Sequence, residues 1–245
     1  MDKEIKEIFL EFCFDVERDS NFQNIEHAGL SNIFYHLYTK YKKTYILILD
    51  SFEYSTFDNP EIELIPIIRT LIETHINLCY VCIEGRERPD KVSRLYEQEE
   101  KFNKYIQGKQ LNKLKREDRT EAVQKFIKDH YLGKEEPFVD RQFKSILGRS
   151  KTIGKERFYF SYYLPFNSFV HYDPSTIINY LSAKDGANVF GSTGERLVDH
   201  SHGISYCINI ATVDVMRELT KFIYYNSGLD QSVKAIELFK QKFNT

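Results

Sequence analysis

At 245 residues, with a net charge of −2 and a pI of about 6.4, the chain is long enough to bury a substantial core and too balanced to bind polyanions by bulk electrostatics. Any nucleic-acid contact must be local. Apolar residues make up 42% and aromatics 15%, with 19 Phe, 17 Tyr and no Trp, and only 11 Gly and 6 Pro interrupt them, a balance that disfavours a strand-rich fold and suits long helices.

The stretch Met1-Asp2-Lys3-Glu4-Ile5-Lys6-Glu7 lacks the basic start and apolar core of a signal peptide. No apolar run reads as long and charge-free enough to span a bilayer, so a cytoplasmic location without membrane contact is expected. Asp2 to Val16 repeats apolar residues at Ile5, Ile8, Phe9, Phe12 and Val16, the period of an amphipathic helix, and Ser20, Asn21 and Asn24 break it. From Glu26 a second helix runs through Leu30, Phe34, Leu37, Tyr41 and Tyr45 to about Phe52. Ser55, Asp58 and Asn59 then form a turn.

The next stretch, Asn59 to Gly85, organises the chain. Asn59 suits a helix cap, Pro60 its first turn, Glu61 and Glu63 its positive end, and Gly85 its stop. The helix between them is apolar nearly all round, yet it carries Arg69 and Glu73 four residues apart, with Tyr80 close to the same line. Burying an unpaired charge costs several kcal/mol, so this face should look into a polar pocket built with another segment.

After Gly85, Arg86 to Lys128 is dense in both charge signs. It reads as two exposed helices joined near Gly108, an insertion over about 86–132 that projects from the core and either contacts a protein partner or is simply solvated. Gly133 to Pro137 is a turn. Arg141, Lys144, Arg149, Lys151, Lys155 and Arg157 then form the most basic section, followed by Phe158-Tyr159-Phe160. Cations beside aromatics hold phosphates and stack bases, and they equally make a wet helix face. Over Arg157 to His171, Tyr162, Phe166 and Phe169 suit a buried face, and Ser168 and His171 are three apart, so they can enter one cavity. A histidine in a last helical turn gains proton affinity from the helix dipole. Lys184 to Asp199 reads as a flexible loop, Ser201 to Asn226 as a helix closed by Ser227-Gly228, and Asp230 as the cap of a final short one.

Cys13, Cys79, Cys82 and Cys207 sit in apolar contexts and read as reduced, buried thiols, and no metal or cofactor is expected. Asp199, His200 and His202 are usual metal ligands by type, but residues two apart do not share a helical face, so helix capping is the simpler reading.

The order Arg69-x-x-x-Glu73, Asn77-Leu78-x-Tyr80, a charged insertion, then Tyr162-x5-Ser168-x-x-His171 resembles the bacterial helical proteins of the domain-of-unknown-function family 5677, over about Ala28 to Leu219. The resemblance implies an all-α cytosolic protein, many of whose genes look like parts of defence or toxin modules. A second resemblance is to the HEPN ribonucleases, helical dimers that act without metal through Arg and a following His; Arg69 to His75 and Arg196 to His202 both carry that spacing. It implies attack of a 2′-hydroxyl on the adjacent phosphate. Arg69 would stabilise charge, His171 or His75 would carry protons, Glu73 would orient one of them, and Arg196 with His200 or His202 would be a reserve site.

Two functions are therefore expected. One is a metal-independent endoribonuclease of a defence or toxin system, possible as a homodimer, with Arg69, Glu73, His171, Ser168 and His75 as catalytic candidates. Its RNA would contact Tyr80, Tyr162, Arg149, Lys151, Lys155 and Arg157. The other is a non-catalytic module that binds a small anion or nucleotide at Arg69 and signals to a partner through the insertion. The fold expected for both is a single all-α domain over 1–245, a bundle of long helices with the charged insertion protruding.

Overall fold

A computed structural model describes residues 3–54, 61–108, 121, 145–170, 181–184, 187–190, 195–196, 201–224 and 230–243. The turns predicted at 55–59, 133–137 and 227–228, the cap at Asn59, the insertion beyond Gly108 apart from Glu121, and Arg141, Lys144, His171, Asp199 and His200 lie outside the described residues. The fold is all-α. In chain order it has α1 (Lys3–Arg18), α2 (Ser20–Gln23), α3 (Ala28–Tyr54), α4 (Glu61–Glu87), α5 (Pro89–Gly108) and α6 (Ile146–Thr152). Then come α7 (Glu156–Phe158), a π-helical turn (Tyr159–Tyr163), α8 (Leu164–Val170), strands β1 (Leu181–Lys184), β2 (Ala187–Phe190) and β3 (Glu195–Arg196), α9 (Ser201–Tyr224) and α10 (Asp230–Phe243).

The predicted periodicities become the packing faces. In α1, Ile5, Phe9, Phe12, Cys13 and Val16 are buried, and Glu4 and Arg18 lie at the ends that the helix dipole favours for their charges. His27 opens α3, where its Nδ1 accepts from the Leu30 N–H at 3.1 Å. The helix α4 packs against α3, α5, α6, the π turn, α8 and α9, so it is apolar nearly all round because it is covered nearly all round. Its stretch Ile62–Glu87, with a mean hydropathy of 1.2 over 18 residues, is long and apolar enough to cross a bilayer, contrary to the sequence expectation, but 72% of that window is buried inside this fold.

Leu30 at the start of α3 meets Gly85 at the end of α4, so the two helices run antiparallel. Gly85 does not stop α4, which continues to Glu87. A Cβ there would lie 2.9 and 3.1 Å from the two terminal carbons of buried Leu30, so the glycine serves close approach. Gly85→Ala should cost about 1 kcal/mol, overpacking of roughly 1–3 kcal/mol offset by about 1 kcal/mol of helix propensity. A urea denaturation midpoint equal to or above wild type would contradict this.

The helix α5 docks through its first half, with Val92 and Leu95 buried, and Arg149 of α6 fastens it. That guanidinium, 3% exposed, donates from Nη1 to Asn77 Oδ1 of α4 at 2.5 Å and from Nη2 to Glu99 of α5, with the Tyr96 ring 4.8 Å away. Burial alone would lower its proton affinity, but Tyr96 and Glu99 raise it, so the charge persists.

The stretch expected as a flexible loop over 184–199 instead contributes to a small antiparallel sheet of order β2-β1-β3, with Leu181 opposite Phe190 and Ser182 opposite Arg196. Lys184 pairs with Ala187 at the end of the β1–β2 ladder.

Candidate functional site

The polar groups singled out in the sequence separate into two clusters on α4. Arg69 and Glu73 face the π turn and α8, whereas His75 faces α9. On a helix a side chain six positions on is turned well away, and Pro66, exposed within α4, does not undo that. The pairing of Arg69 with His75 that the HEPN resemblance implied is therefore not formed.

At the first cluster, Arg69 Nε donates to Asn167 Oδ1 at 2.5 Å and Nη2 donates to the Tyr163 hydroxyl at 2.7 Å. That hydroxyl donates in turn to Glu73 Oε2 at 3.2 Å. Arg69 Nη1 stands 3.8 Å from the same carboxylate oxygen, a looser contact than a hydrogen bond. The guanidinium carbon lies 4.7 Å from the Tyr163 ring centroid, within cation–π range. Arg69 is thus held on two sides while its side chain stays 23% exposed and that of Glu73 38%. Burial, together with the Glu73 carboxylate, pushes the Tyr163 hydroxyl up to about 12, so it stays a donor at neutral pH.

Tyr163 holds the position that the sequence reading gave to Tyr162. The dihedrals at Phe158, Tyr159 and Leu164 are all right-handed helical, so the chain runs on unbroken from α7 to α8, but the π turn inserts one extra residue. The buried rings are therefore Phe158 and Tyr163, five apart, and then Phe166. Tyr162 is half-buried against Phe158 at 5.0 Å, and burial pushes its hydroxyl up to about 12. Ser168 turns back on its own helix, its Oγ donating to the Pro165 carbonyl at 2.7 Å, and the His171 expected beside it lies outside the described residues.

The second cluster is internal. His75 is fully buried, with Nε2 3.4 Å from Asp214 Oδ2 of α9 and the Phe158 ring edge-on at 4.9 Å. Neither ring nitrogen makes a hydrogen bond within the described structure. The Asp214 carboxylate is paired with Lys155 and, at 2.8 Å, with Arg217, whose Nε also donates to Glu218 at 2.8 Å. Burial lowers the proton affinity of His75, and Lys155 and Arg217 lower it further against the partial opposition of Asp214. Burial alone would raise Asp214, but the closeness of His75 and Lys155 holds it well below the usual carboxylate range.

Both groups bind protons less readily when folded, so their contribution to stability is complete above their ordinary values, 6.5 and 3.8, and is lost as pH falls. His75 acts first. Wild-type stability should therefore fall between pH 7 and 5, at up to about 1.4 kcal/mol per pH unit for one proton, and the fall should flatten in His75→Leu. Parallel urea titrations check this; equal slopes in the two proteins would contradict it.

Of the basic residues expected to meet RNA, Arg149 and Lys155 are consumed by Glu99 and Asp214. Lys151 pairs with Glu156 at 3.2 Å on the surface, and Arg157 is exposed. Tyr80 is fully buried, 5.8 Å from Arg149. Arg196 lies in β3, and His202 is exposed in the first turn of α9. The four cysteines are unpaired and buried, with thiols pushed up chiefly by burial, Cys13 to about 12. Among the described residues no three His, Cys, Asp or Glu side chains gather as metal ligands.

Sequence reasoning passed over Tyr163, Asn167, Asp214, Arg217 and Glu218. The last three carried the signal used for Arg69 and Glu73, charges inside an otherwise apolar helix, here between Ala211 and Leu219. Asn167 carried none.

A model of the family described as a family of unknown function (DUF5677) matches residues 27–188. No curated protein and no solved structure matches the chain. The Arg69 cluster lies wholly inside the matched residues, whereas Asp214, Arg217 and Glu218 lie beyond them.

Proposed function

The chain belongs to the DUF5677 family, whose function is unknown, and on that premise we propose that it binds an anionic ligand through Arg69 and does so without chemical turnover. The observation that carries this is a guanidinium held by Tyr163 and Asn167, partly exposed, and 3.8 Å from the Glu73 carboxylate. A fixed planar fork of N–H groups at a surface suits phosphate or carboxylate oxygens, because little side-chain entropy remains to be lost on binding. Turnover would need a proton carrier near neutrality. Within the described cluster Tyr163 titrates far too high, and His75 is buried away from Arg69 against Asp214.

Titrating inorganic phosphate at constant ionic strength while following thermal unfolding tests the proposal. Saturation near 100 times Kd should add about 2.7 kcal/mol and raise Tm by roughly 5–10 °C. A phosphate series with no saturable rise would overturn it.

A second reading, metal-independent RNA cleavage in a bacterial defence or toxin system, draws support from one feature. His171 follows Asn167, the hydrogen-bond partner of Arg69, by four residues in the sequence. In that reading Arg69 stabilises the charged phosphorane and His171 moves the proton.

A further inference from the structure

We infer that the ligand of Arg69 is a nucleoside phosphate, with its phosphate on the Arg69 guanidinium and its base stacked at Tyr159 and Phe160. This rests on the anion-binding reading and adds a ring to it. From Arg69 an unbroken series of aromatic rings leads outward. The guanidinium lies 4.7 Å from the Tyr163 ring, Tyr163 stacks on Tyr159 at 5.1 Å and 30°, and Tyr159 meets Phe160 edge-on at 5.3 Å and 88°.

The Arg69 end of this series is polar, charged and partly exposed, and the Phe160 end is apolar and wet. Phe160 is 47% exposed, and Leu164, four residues on and so on the same helical face, is 45% exposed. The neighbouring Phe158 and Phe166 are buried and Phe169 is partly buried against the core, whereas Phe160 is left to solvent. The π turn brings Tyr163 onto Arg69, and Phe160, three residues earlier in the same turn, stays exposed.

A ligand that satisfies both ends carries an anion and a flat π face joined by a spacer, as a nucleotide's phosphate and base are joined by ribose. The exposed ring supplies the stacking platform, and such stacking is tolerant of base identity because every base has a π face. The Arg157 side chain, exposed two residues before the π turn begins, adds positive charge nearby.

The test uses the full chain and calorimetric titration with four probes: inorganic phosphate, ribose 5-phosphate, adenosine 5′-monophosphate and a six-residue oligoadenylate. The mononucleotide should bind about tenfold or more tighter than ribose 5-phosphate, and Phe160→Ala should remove that advantage while leaving ribose 5-phosphate affinity unchanged. Phe160→Trp should keep it. Phe160 is exposed, so its alanine variant keeps the core intact, and an unchanged circular dichroism melt confirms this.

If the oligonucleotide binds tightly and the mononucleotide does not, with Phe160→Ala abolishing the difference, the nucleoside phosphate comes from a strand, and the inference stands. Equal affinity for ribose 5-phosphate and the mononucleotide, or an unaffected Phe160→Ala, overturns the stacked base and leaves the anion site standing. Absence of binding by all four probes overturns both.

Discussion

Arg149→Ala should lower the unfolding free energy by about 3–5 kcal/mol, the usual cost of removing one partner from a buried ion pair. Arg149 is 3% exposed and joins three helices, bonding Asn77 on α4 and Glu99 on α5 from its own place on α6. Alanine would leave the Glu99 side chain, only 13% exposed, facing a cavity where its guanidinium had been. Arg149→Met with Glu99→Gln should recover a large part of the loss, because the volume is refilled and no charge is left facing the gap. Urea midpoints at unchanged m-value measure both variants, and a loss below about 1 kcal/mol for Arg149→Ala would show that the ion pair does not fasten α5.

Arg69→Ala should weaken phosphate or nucleotide binding by at least roughly 100-fold while leaving the fold in place. Two charge-assisted hydrogen bonds to a bound anion are worth about 3 kcal/mol together, and each 1.4 kcal/mol is tenfold. Arg69→Lys keeps the charge but loses the planar fork and its bonds to Asn167 and Tyr163, so about a tenfold loss is expected. The stability cost should stay small, because the Arg69 side chain is 23% exposed and water can reach the site when it is removed. Calorimetric titration of each variant measures the effect. Wild-type affinity in Arg69→Ala would remove Arg69 from any binding role.

The long helices were legible because their apolar periods are strict. The stripe Ile5, Phe9, Phe12, Val16 and the run Leu30 to Leu49 each fix one buried face, and the apolar residues nearly all round α4, interrupted at Arg69 and Glu73, marked it as a mostly buried helix. What escaped were features set by contacts distant in sequence. Gly85 reads as a stop unless Leu30 is known to press on it. Arg149 and Lys155 read as surface cations until Glu99 and Asp214 are seen waiting in the interior. Tyr162 and Tyr163 are adjacent tyrosines, and the choice between them depends on one π turn, which shifts the helical register without a sequence mark as plain as proline or glycine. The antiparallel pairing of 181–184 with 187–190 was hidden by reading glycines as flexibility, although Asp-Gly between two short runs is also a strand-reversal signal in sequence. The need for a partner at Arg69 was legible from burial cost alone, but its identity was not.

The most direct test of binding without turnover incubates wild-type protein with adenosine 5′-monophosphate and, separately, with RNA in EDTA, following thermal stabilisation and product formation together. The expected result is a saturable rise in Tm with the nucleotide recovered unchanged and the RNA intact, and no rise in Arg69→Ala. RNA cut in EDTA by wild type but not by folded Arg69→Ala or His171→Ala would contradict a binding module and make the Arg69 cluster a catalytic one.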